Sequence, residues 1–241
     1  MLFRSAGIAG LVCCLVLGKR QGYGTTNMSP HNLGYAFIGA CLLWVGWFGF
    51  NAGSAVAANG RASMAMAVTQ IATATAALGW MFAEWITKGK PSVLGAISGA
   101  VAGLVAITPA SGFVLPGASI IIGLAAGVIC FWSATALKHM LGYDDSLDAF
   151  GVHGIGGIVG ALLTGVFSFG PLSATDASPD GSPGGLAQLV LQFKGVAATI
   201  VYSGIGTLIL LYLTNAIVGL RVTDEEEREG LDISLHGEQV L

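Results

Sequence analysis

The residue best suited to chemistry in this sequence is a histidine in an apolar, glycine-rich segment. His153 is the only ionisable side chain in residues 149–165 (AFGVHGIGGIVGALLTG). An ionisable group is costly inside hydrocarbon and normally faces a pathway or a bundle interior. Neighbouring glycines, among them Gly154 and Gly157, let adjacent helices approach closely, so we assign them a structural role. We predict that His153 lines a conduit; the alternative is a histidine hydrogen-bonded within helix packing.

The composition places this histidine in a membrane protein. Of the 241 residues, 54% are hydrophobic, 10% are charged and 37 are glycine. These proportions are typical of chains whose helices cross a membrane several times. The sequence has no basic patch of the kind that nucleic-acid binding requires. The cysteines (Cys13, Cys14, Cys41 and Cys130) lie in apolar stretches without metal-ligand spacing, and we predict neither a metal site nor a cofactor.

Apolar runs between charged and turn residues predict an all-α, polytopic membrane helix bundle. Six runs have the length needed to cross about 30 Å of hydrocarbon as a helix. Their approximate limits are 33–53, 62–83, 91–108, 117–137, 149–169 and 195–220. A shorter run, 5–18, is followed by basic residues where a signal peptide would need small ones, so we interpret it as a truncated membrane helix. The predicted transmembrane domain is 1–220, and the tail is 221–241.

The distribution of lysine and arginine predicts the orientation. Seven basic residues fall on one side of the predicted spans and three on the other. Cytoplasmic segments carry the excess of basic residues, so the first side, which includes the tail, is predicted to be cytoplasmic. We expect the chain in the cell (inner or plasma) membrane. The acidic cluster at 224–229 is interpreted as a solvated face, with docking on other cytoplasmic segments or on a soluble partner as the alternative.

A weak internal repeat relates the two ends of the sequence. Residues 5–10 (SAGIAG) and 155–160 (IGGIVG) share Gly, Ile and Gly at matching places. In this register Phe3 aligns with His153. Two related halves with a site between equivalent helices would produce such a repeat, as in inverted-repeat transporters; chance in a glycine-rich sequence is the alternative.

Three motifs resemble one family of membrane proteins. They are GWFGFNAGSA at 46–55, DAFGVHGIGGIVG at 148–160, and the tail elements GLRV, GLD and HGE between 219 and 238. Together they are similar to the ammonium transporter (Amt/Rhesus) family from about residue 5 to the end. The resemblance implies the second half of an inverted-repeat ammonium transporter fold. It also implies a homotrimer whose eleven-span subunits each contain a narrow hydrophobic pore.

The resemblance also implies a pair of facing histidines near the bilayer centre. His153 matches the second of them, whereas the first falls at Phe3, in a segment (MLFR) that departs from the family pattern. The family's first four spans and the start of its fifth are absent upstream of this segment. We therefore expect the chain to be the C-terminal portion of a transporter, a fragment or natural short form whose pore is incomplete.

The same resemblance gives roles to one stripe of residues. Ser54 would recruit the cation at the outer mouth, and Phe50 would be a hydrophobic gate beneath it. Trp47 would brace the pore histidines through its indole N–H, and Leu43 would line the pore on the same helical face. The alternatives are a helix-end hydroxyl for Ser54 and ordinary core packing for the aromatic residues.

Two further positions are predicted to be structural. Asp148, at the cytoplasmic entrance to the histidine helix, is expected to cap that helix and to favour its positive end. Thr108-Pro109 is expected to form a turn at the outer end of the run 91–108.

These residues predict transmembrane transport of ammonium or ammonia through a channel. Desolvating the cation is prohibitive, so it would be bound at a polar mouth and passed as neutral ammonia past His153. The alternative is an ammonium sensor that signals through its tail without net transport. The implied partners are ammonium, the lipid bilayer, other subunits and a PII-type signalling protein. The glycines at 154–160 superficially resemble a nucleotide loop but lie inside an apolar run without a nucleophile–base pair, so we predict no enzymatic activity.

Overall fold

The computed structural model describes residues 2–175 and 178–238, which form a bundle of α-helices. The helices are α1 Leu2–Leu17, α2 Leu33–Ala52, α3 Gly60–Lys88, α4 Val93–Ile107, α5 Pro116–Trp132, α6 Lys138–Leu141, α7 Ile155–Phe167, α8 Gly170–Ser173, α9 Leu186–Val218, α10 Asp224–Glu229 and α11 Leu231–His236. A 3-10 turn, Gly53–Ala55, follows α2, and π-helical segments Ser133–Leu137 and Ala149–Gly154 precede α6 and α7. No strand is present in these residues, as the predicted all-α class requires. Met1 of the predicted domain and residues 239–241 of the predicted tail lie outside the described part.

Several helices have the length and composition of membrane spans. Among the described residues there are five such stretches: Leu33–Ala55, Gly60–Lys88, Pro116–Leu141, Ala149–Phe167 and Leu186–Val218. The run predicted at 91–108 yields α4, which has only 15 residues and is shorter than a typical span. The last span begins at Leu186 rather than near residue 195, because Lys194, which bounds the predicted run, lies inside the helix.

Small residues let the central helices pack with their backbones in contact. A Cβ atom on Gly103 of α4 would lie 2.8 Å from the Cα of Thr73 on α3, and one on Gly160 of α7 would lie 2.7 Å from the Cα of Ala106. Such approaches are available only to residues without a side chain. Buried apolar residues such as Leu104 surround these contacts. The close packing fixes α7, and with it the segment that carries His153, against the rest of the bundle.

Helix α1 crosses the π-helical segment before α7 at glycine positions. Gly7 lies so close to the backbone of Gly154 that a Cβ atom at position 7 would overlap the backbone nitrogen and Cα of Gly154. Further along, a Cβ atom on Gly157 would lie 2.8 Å from the backbone nitrogen of Arg4. The crossing places the ring of Phe3 6.0 Å from the ring of His153, centroid to centroid. The two positions paired by the internal repeat are therefore neighbours in the fold.

The tail contacts the bundle through Arg221, which follows α9, and through Glu227 of α10. Arg221 donates to the carbonyl oxygen of Leu17 at 3.0 Å. Glu227 pairs with Arg221 at 2.9 Å and accepts the backbone N–H of Gln21 at 2.8 Å. The hydrogen bond from Arg221 lowers the pKa of Glu227. Within the acidic cluster, Glu227 thus contacts another segment of the chain, as the docking interpretation expects. Asp224 is exposed, as the interpretation of a solvated face expects.

A second ion pair joins the segment after α1 to the segment before α7. The carboxylate of Asp144 accepts from Nη2 (2.7 Å), Nε (2.8 Å) and the backbone N–H (2.9 Å) of Arg20. Asp144 is only 7% exposed, so these bonds replace the water that the carboxylate loses. They lower the pKa of Asp144 below its ordinary value.

This ion pair makes stability depend on acidity. A carboxyl group whose folded pKa is lowered stabilises the fold fully above its ordinary pKa of about 3.9 and loses that contribution as the pH falls through the folded pKa. We expect Asp144→Asn to reduce the free energy of unfolding by about 1–3 kcal/mol at pH 7. Unfolding in detergent at pH 7 and at pH 3 measures this, with the exposed Asp224→Asn as the control. If Asp144→Asn costs as much stability at pH 3 as at pH 7, the stabilising role of the Arg20–Asp144 ion pair is contradicted.

Candidate functional site

The helix that carries His153 is capped by Asp145 rather than by Asp148. The carboxylate of Asp145 accepts the backbone N–H groups of Ala149 (2.9 Å), Phe150 (2.8 Å) and Gly151 (3.3 Å). Asp148 makes no capping hydrogen bond, so the predicted cap was wrong. Its backbone is left-handed (φ +53°), unlike the extended conformation usual for a capping residue, and its carboxylate is engaged by Lys138 instead.

Asp148 instead forms an ion pair at the start of the segment. Its Oδ1 lies 2.5 Å from Nζ of Lys138. Burial raises the pKa of Asp148, and the Lys138 ammonium opposes that rise. The two residues join the start of α6 to the start of the histidine segment.

His153 lines an apolar cavity of about 260 Å³, here called the inner cavity. Leu43, Val101 and Asp148 contribute to its wall. The Nδ1 atom of His153 is buried and has no hydrogen-bond partner among the described residues. The alternative, a histidine hydrogen-bonded within helix packing, would require a hydrogen bond, and among the described residues none is formed at this nitrogen.

A larger opening, the middle cavity, lies along α2. Its volume is about 590 Å³, and it is bounded by Leu43, Gly46, Trp47 and Phe50 on α2 and by Phe3 on α1. Leu43 lines both the middle and the inner cavities. The side of the middle cavity away from these helices is open in this chain, and Leu43 is 46% exposed.

Three aromatic rings form a triad at one end of the middle cavity. The centroid distances are 4.9 Å for Phe3–Trp47, 5.8 Å for Trp47–Phe50 and 5.7 Å for Phe3–Phe50. The indole N–H of Trp47 donates to Oγ1 of Thr108 at 2.8 Å. Trp47 was predicted to direct this N–H to a pore histidine, and that prediction was wrong. A buried indole needs an acceptor, but only the packing of α2 on α4 decides which one it finds.

Ser54 lies at a polar cavity of about 390 Å³, here called the mouth cavity. Its hydroxyl donates to the carbonyl oxygen of Phe50 at 2.6 Å, which leaves oxygen lone pairs free to accept. This bond is also what the helix-end alternative describes. Phe50 lines both the mouth and the middle cavities, and its side chain is 43% exposed.

Sequence reasoning missed other residues of the mouth cavity. Asn59, Arg61 and Ser111 reach it from the start of α3 and from the turn after α4. The guanidinium of Arg61 lies 4.6 Å from the ring centroid of Phe113, and its Nε donates to the carbonyl oxygen of Gly112 at 3.3 Å. Their sequence positions carry no motif, because the contact depends on how two distant turns meet.

The mouth, middle and inner cavities follow one another along α2. Phe50 lines both the mouth and the middle cavities, and Leu43 lines both the middle and the inner cavities. Ser54 and His153 stand at opposite ends, with aromatic and aliphatic side chains between them. A helical bundle with several candidate spans defines a multi-pass membrane protein, and in this one the cavities lie in a row along α2.

Comparison with known proteins agrees with this class and names the family. Residues 4–241 match the model of the Ammonium Transporter Family, and the chain belongs to that family. It is 51% identical over 236 residues to an ammonium transporter of Bacillus subtilis (strain 168), covering 98% of this chain and 57% of the relative. It is 53% identical over 235 residues to one from Aquifex aeolicus (strain VF5), covering 98% and 54%. The chain thus spans about half the length of these relatives.

Solved structures show the same fold. Saccharomyces cerevisiae Mep2 aligns with a TM-score of 0.83 at 34% identity over 93% of this chain and 52% of Mep2. A structure described as a sensor Amt protein aligns with a TM-score of 0.85 at 27% identity over 97% and 58% of the two chains. Family membership confirms the resemblance stated from the motifs around Ser54 and His153.

Proposed function

We propose that the chain takes part in moving ammonium across the cell membrane, with the cation recruited at Ser54 and ammonia passed along the apolar cavities to His153. The observation that carries this proposal is the row of mouth, middle and inner cavities between the two residues, in which neighbouring cavities share a lining residue. The curated relatives, which are named ammonium transporters, support it. This function requires no cofactor, and its one chemical step is a proton transfer: ammonium at the mouth cavity releases its proton to the solvent there, and neutral ammonia enters the apolar cavities.

The electrostatics of the row favour a neutral molecule beyond the mouth. The cavity at Ser54 offers hydroxyl and amide oxygens, which replace part of the hydration shell of a small cation, while the guanidinium of Arg61 in the same lining is engaged by the Gly112 carbonyl oxygen and the Phe113 ring. Past Phe50 the walls are aromatic and aliphatic, and a bare cation would be poorly solvated there. Ammonia loses much less hydration, and His153 lines the inner cavity, where its imidazole ring is the polar group that ammonia meets.

The remaining roles follow from position. Phe50 acts as the gate between the mouth and middle cavities, and Leu43 lines the conduit between Phe50 and His153. Asp148 orders the inner end through Lys138, and Gly154 and Gly157 permit the close crossing of α1. The tail then faces the cytoplasm, within reach of a PII-type protein, and the subunits assemble as a homotrimer.

The function predicts a specific loss at the mouth. In proteoliposomes containing the protein, Ser54→Ala is expected to raise the methylammonium concentration needed for half-saturation about tenfold. This is the contribution of one hydrogen bond to a charged group. Uptake of radiolabelled methylammonium measures this. Ser63→Ala is the matched control, because Ser63 also donates back to a helical carbonyl, that of Asn59, but lies outside the mouth cavity. Equal losses in both variants would refute the role of Ser54.

A sensor without net transport is the second candidate. Its supporting observation is the tail, which docks on the segment after α1 through Arg221 and Glu227. Two assays on the same proteoliposomes separate the candidates. A transporter accumulates methylammonium, whereas a sensor binds it at equilibrium, with competition by ammonium, and accumulates none.

A further inference from the structure

The indole of Trp47 is held in place by one hydroxyl group. Trp47 is 6% exposed, and its N–H donates to Oγ1 of Thr108 at 2.8 Å. The Thr108 hydroxyl proton is already used, because Oγ1 donates to the carbonyl oxygen of Leu104 at 2.7 Å. The oxygen is therefore oriented as an acceptor toward the indole. Such a bond is not automatic in this bundle, since the buried indole nitrogen of Trp44 finds no partner among the described residues.

The held indole is one of the three mutually contacting rings of the aromatic triad. Trp47 stacks on Phe3 at 4.9 Å and meets the edge of Phe50 at 5.8 Å. Phenylalanine rings have no polar atom, so the Trp47–Thr108 bond is the one hydrogen bond through which a triad side chain can be oriented. Phe50 is substantially exposed and has space to turn, whereas the buried Trp47 has little. The orientation of the triad thus depends on Trp47, and that of Trp47 on Thr108.

Thr108 also stands at a junction in the row of cavities. It lines the mouth cavity together with Ser54, and it lines an adjoining cavity of about 250 Å³ together with Phe3. Helix α4 ends immediately before it, so the position of its hydroxyl is set by the end of a packed helix. A change at Thr108 is therefore transmitted to the triad through its hydrogen bond with Trp47.

We propose that Thr108 is a positioning residue that holds the Trp47 indole, and through it the Phe3–Trp47–Phe50 triad, in the arrangement that lets ammonia pass from the mouth cavity to His153. This deepens the proposed function and rests on it for the transported species. Without the acceptor, the buried N–H would seek another partner, and the ring would turn from its stack into the passage.

The test begins with a readout that does not depend on transport. The protein is labelled with ¹⁵N at its tryptophan indoles, and the Trp47 resonance is assigned through its loss in Trp47→Phe. Thr108→Val keeps the side-chain shape and removes the acceptor, so the Trp47 indole resonance is expected to move and its hydrogen exchange to accelerate. Thr108→Ser, which retains the hydroxyl, is expected to restore both. An unmoved Trp47 resonance in Thr108→Val would overturn the proposal.

The second readout is methylammonium uptake by the same proteins in proteoliposomes. Thr108→Val is expected to lower the maximal rate about tenfold, the effect of one unpaired buried N–H. In a Trp47→Phe background the same substitution should have no further effect, because Thr108 acts through the indole. Full additivity of the two substitutions would overturn the proposal.

The two readouts keep this proposal separate from the proposed function. If the parent protein accumulates no methylammonium, the transport function fails, and the indole resonance still decides whether Thr108 holds Trp47. If uptake is present but Thr108→Ser does not recover it, the positioning role is wrong while transport stands. A melting temperature for each variant shows whether a loss of rate is a loss of folded protein.

Discussion

Replacing Gly160 by alanine is expected to reduce the free energy of unfolding by about 3 kcal/mol, a typical large cost of overpacking. The added Cβ atom would lie 2.7 Å from both the Cα and the carbonyl carbon of Ala106, which are backbone atoms of α4. Backbone in a packed helix cannot step aside as a flexible side chain can. The intrinsic helix preference for alanine, about 1 kcal/mol, acts in the opposite direction and is outweighed.

Unfolding of the purified protein in detergent, followed by circular dichroism, measures this effect. Gly49→Ala is the matched control, because Gly49 also lies within a helix, α2, but has no atom within 4 Å of its added Cβ. The control is expected to be neutral or stabilising. If both variants lose stability equally, the close approach of α7 and α4 is not the cause.

Replacing Asp145 by alanine is expected to reduce the free energy of unfolding by about 3 kcal/mol, because unpaired buried N–H groups cost about 1–3 kcal/mol each. Its carboxylate accepts three backbone N–H groups at the start of the histidine segment, those of residues 149–151. Asp145 is only 5% exposed, so water cannot fully replace it. The same change is expected to loosen the segment that positions His153.

Thermal unfolding tests the first part of this prediction, and amide hydrogen exchange of residues 149–155 tests the second. Asp148→Asn is the control: it also removes a negative charge, and asparagine tolerates the left-handed backbone at this position. Losing its charge should cost only about 1 kcal/mol, because burial already disfavours the ionised form of Asp148 and an asparagine oxygen can still accept from Lys138. A larger effect at Asp148 than at Asp145 would restore the cap that the sequence predicts.

The apolar runs predicted the helices well where charges marked true ends and poorly where they did not. Lys194 and Arg61 bound predicted runs yet lie inside α9 and α3. A long basic side chain can leave an apolar helix for water, so one charge does not end a helix. Near Pro91 and Pro109 the ends were better placed, because proline removes a backbone donor and restricts the residue before it.

For the candidate site, sequence reasoning did not identify all of the hydrogen-bond partners. Ser54, Phe50, Leu43 and His153 lie along one row of cavities, as the motifs indicate. The acceptor for Trp47 and the cap of the histidine segment were assigned to the wrong residues. Both errors concern which polar atom forms a hydrogen bond with which partner.

By itself, the sequence determined the helical class, the family, and a lone histidine within a glycine-rich apolar segment. These are properties of residue type and spacing, because the hydrocarbon requirement for internally bonded backbone and the need of close-packed helices for small residues act locally along the chain. Only the tertiary structure decided that Thr108 holds Trp47, that Asp145 caps the segment of His153, and that Phe3 stands beside that histidine. Such pairings depend on angles and distances between helices far apart in sequence, which no local pattern encodes.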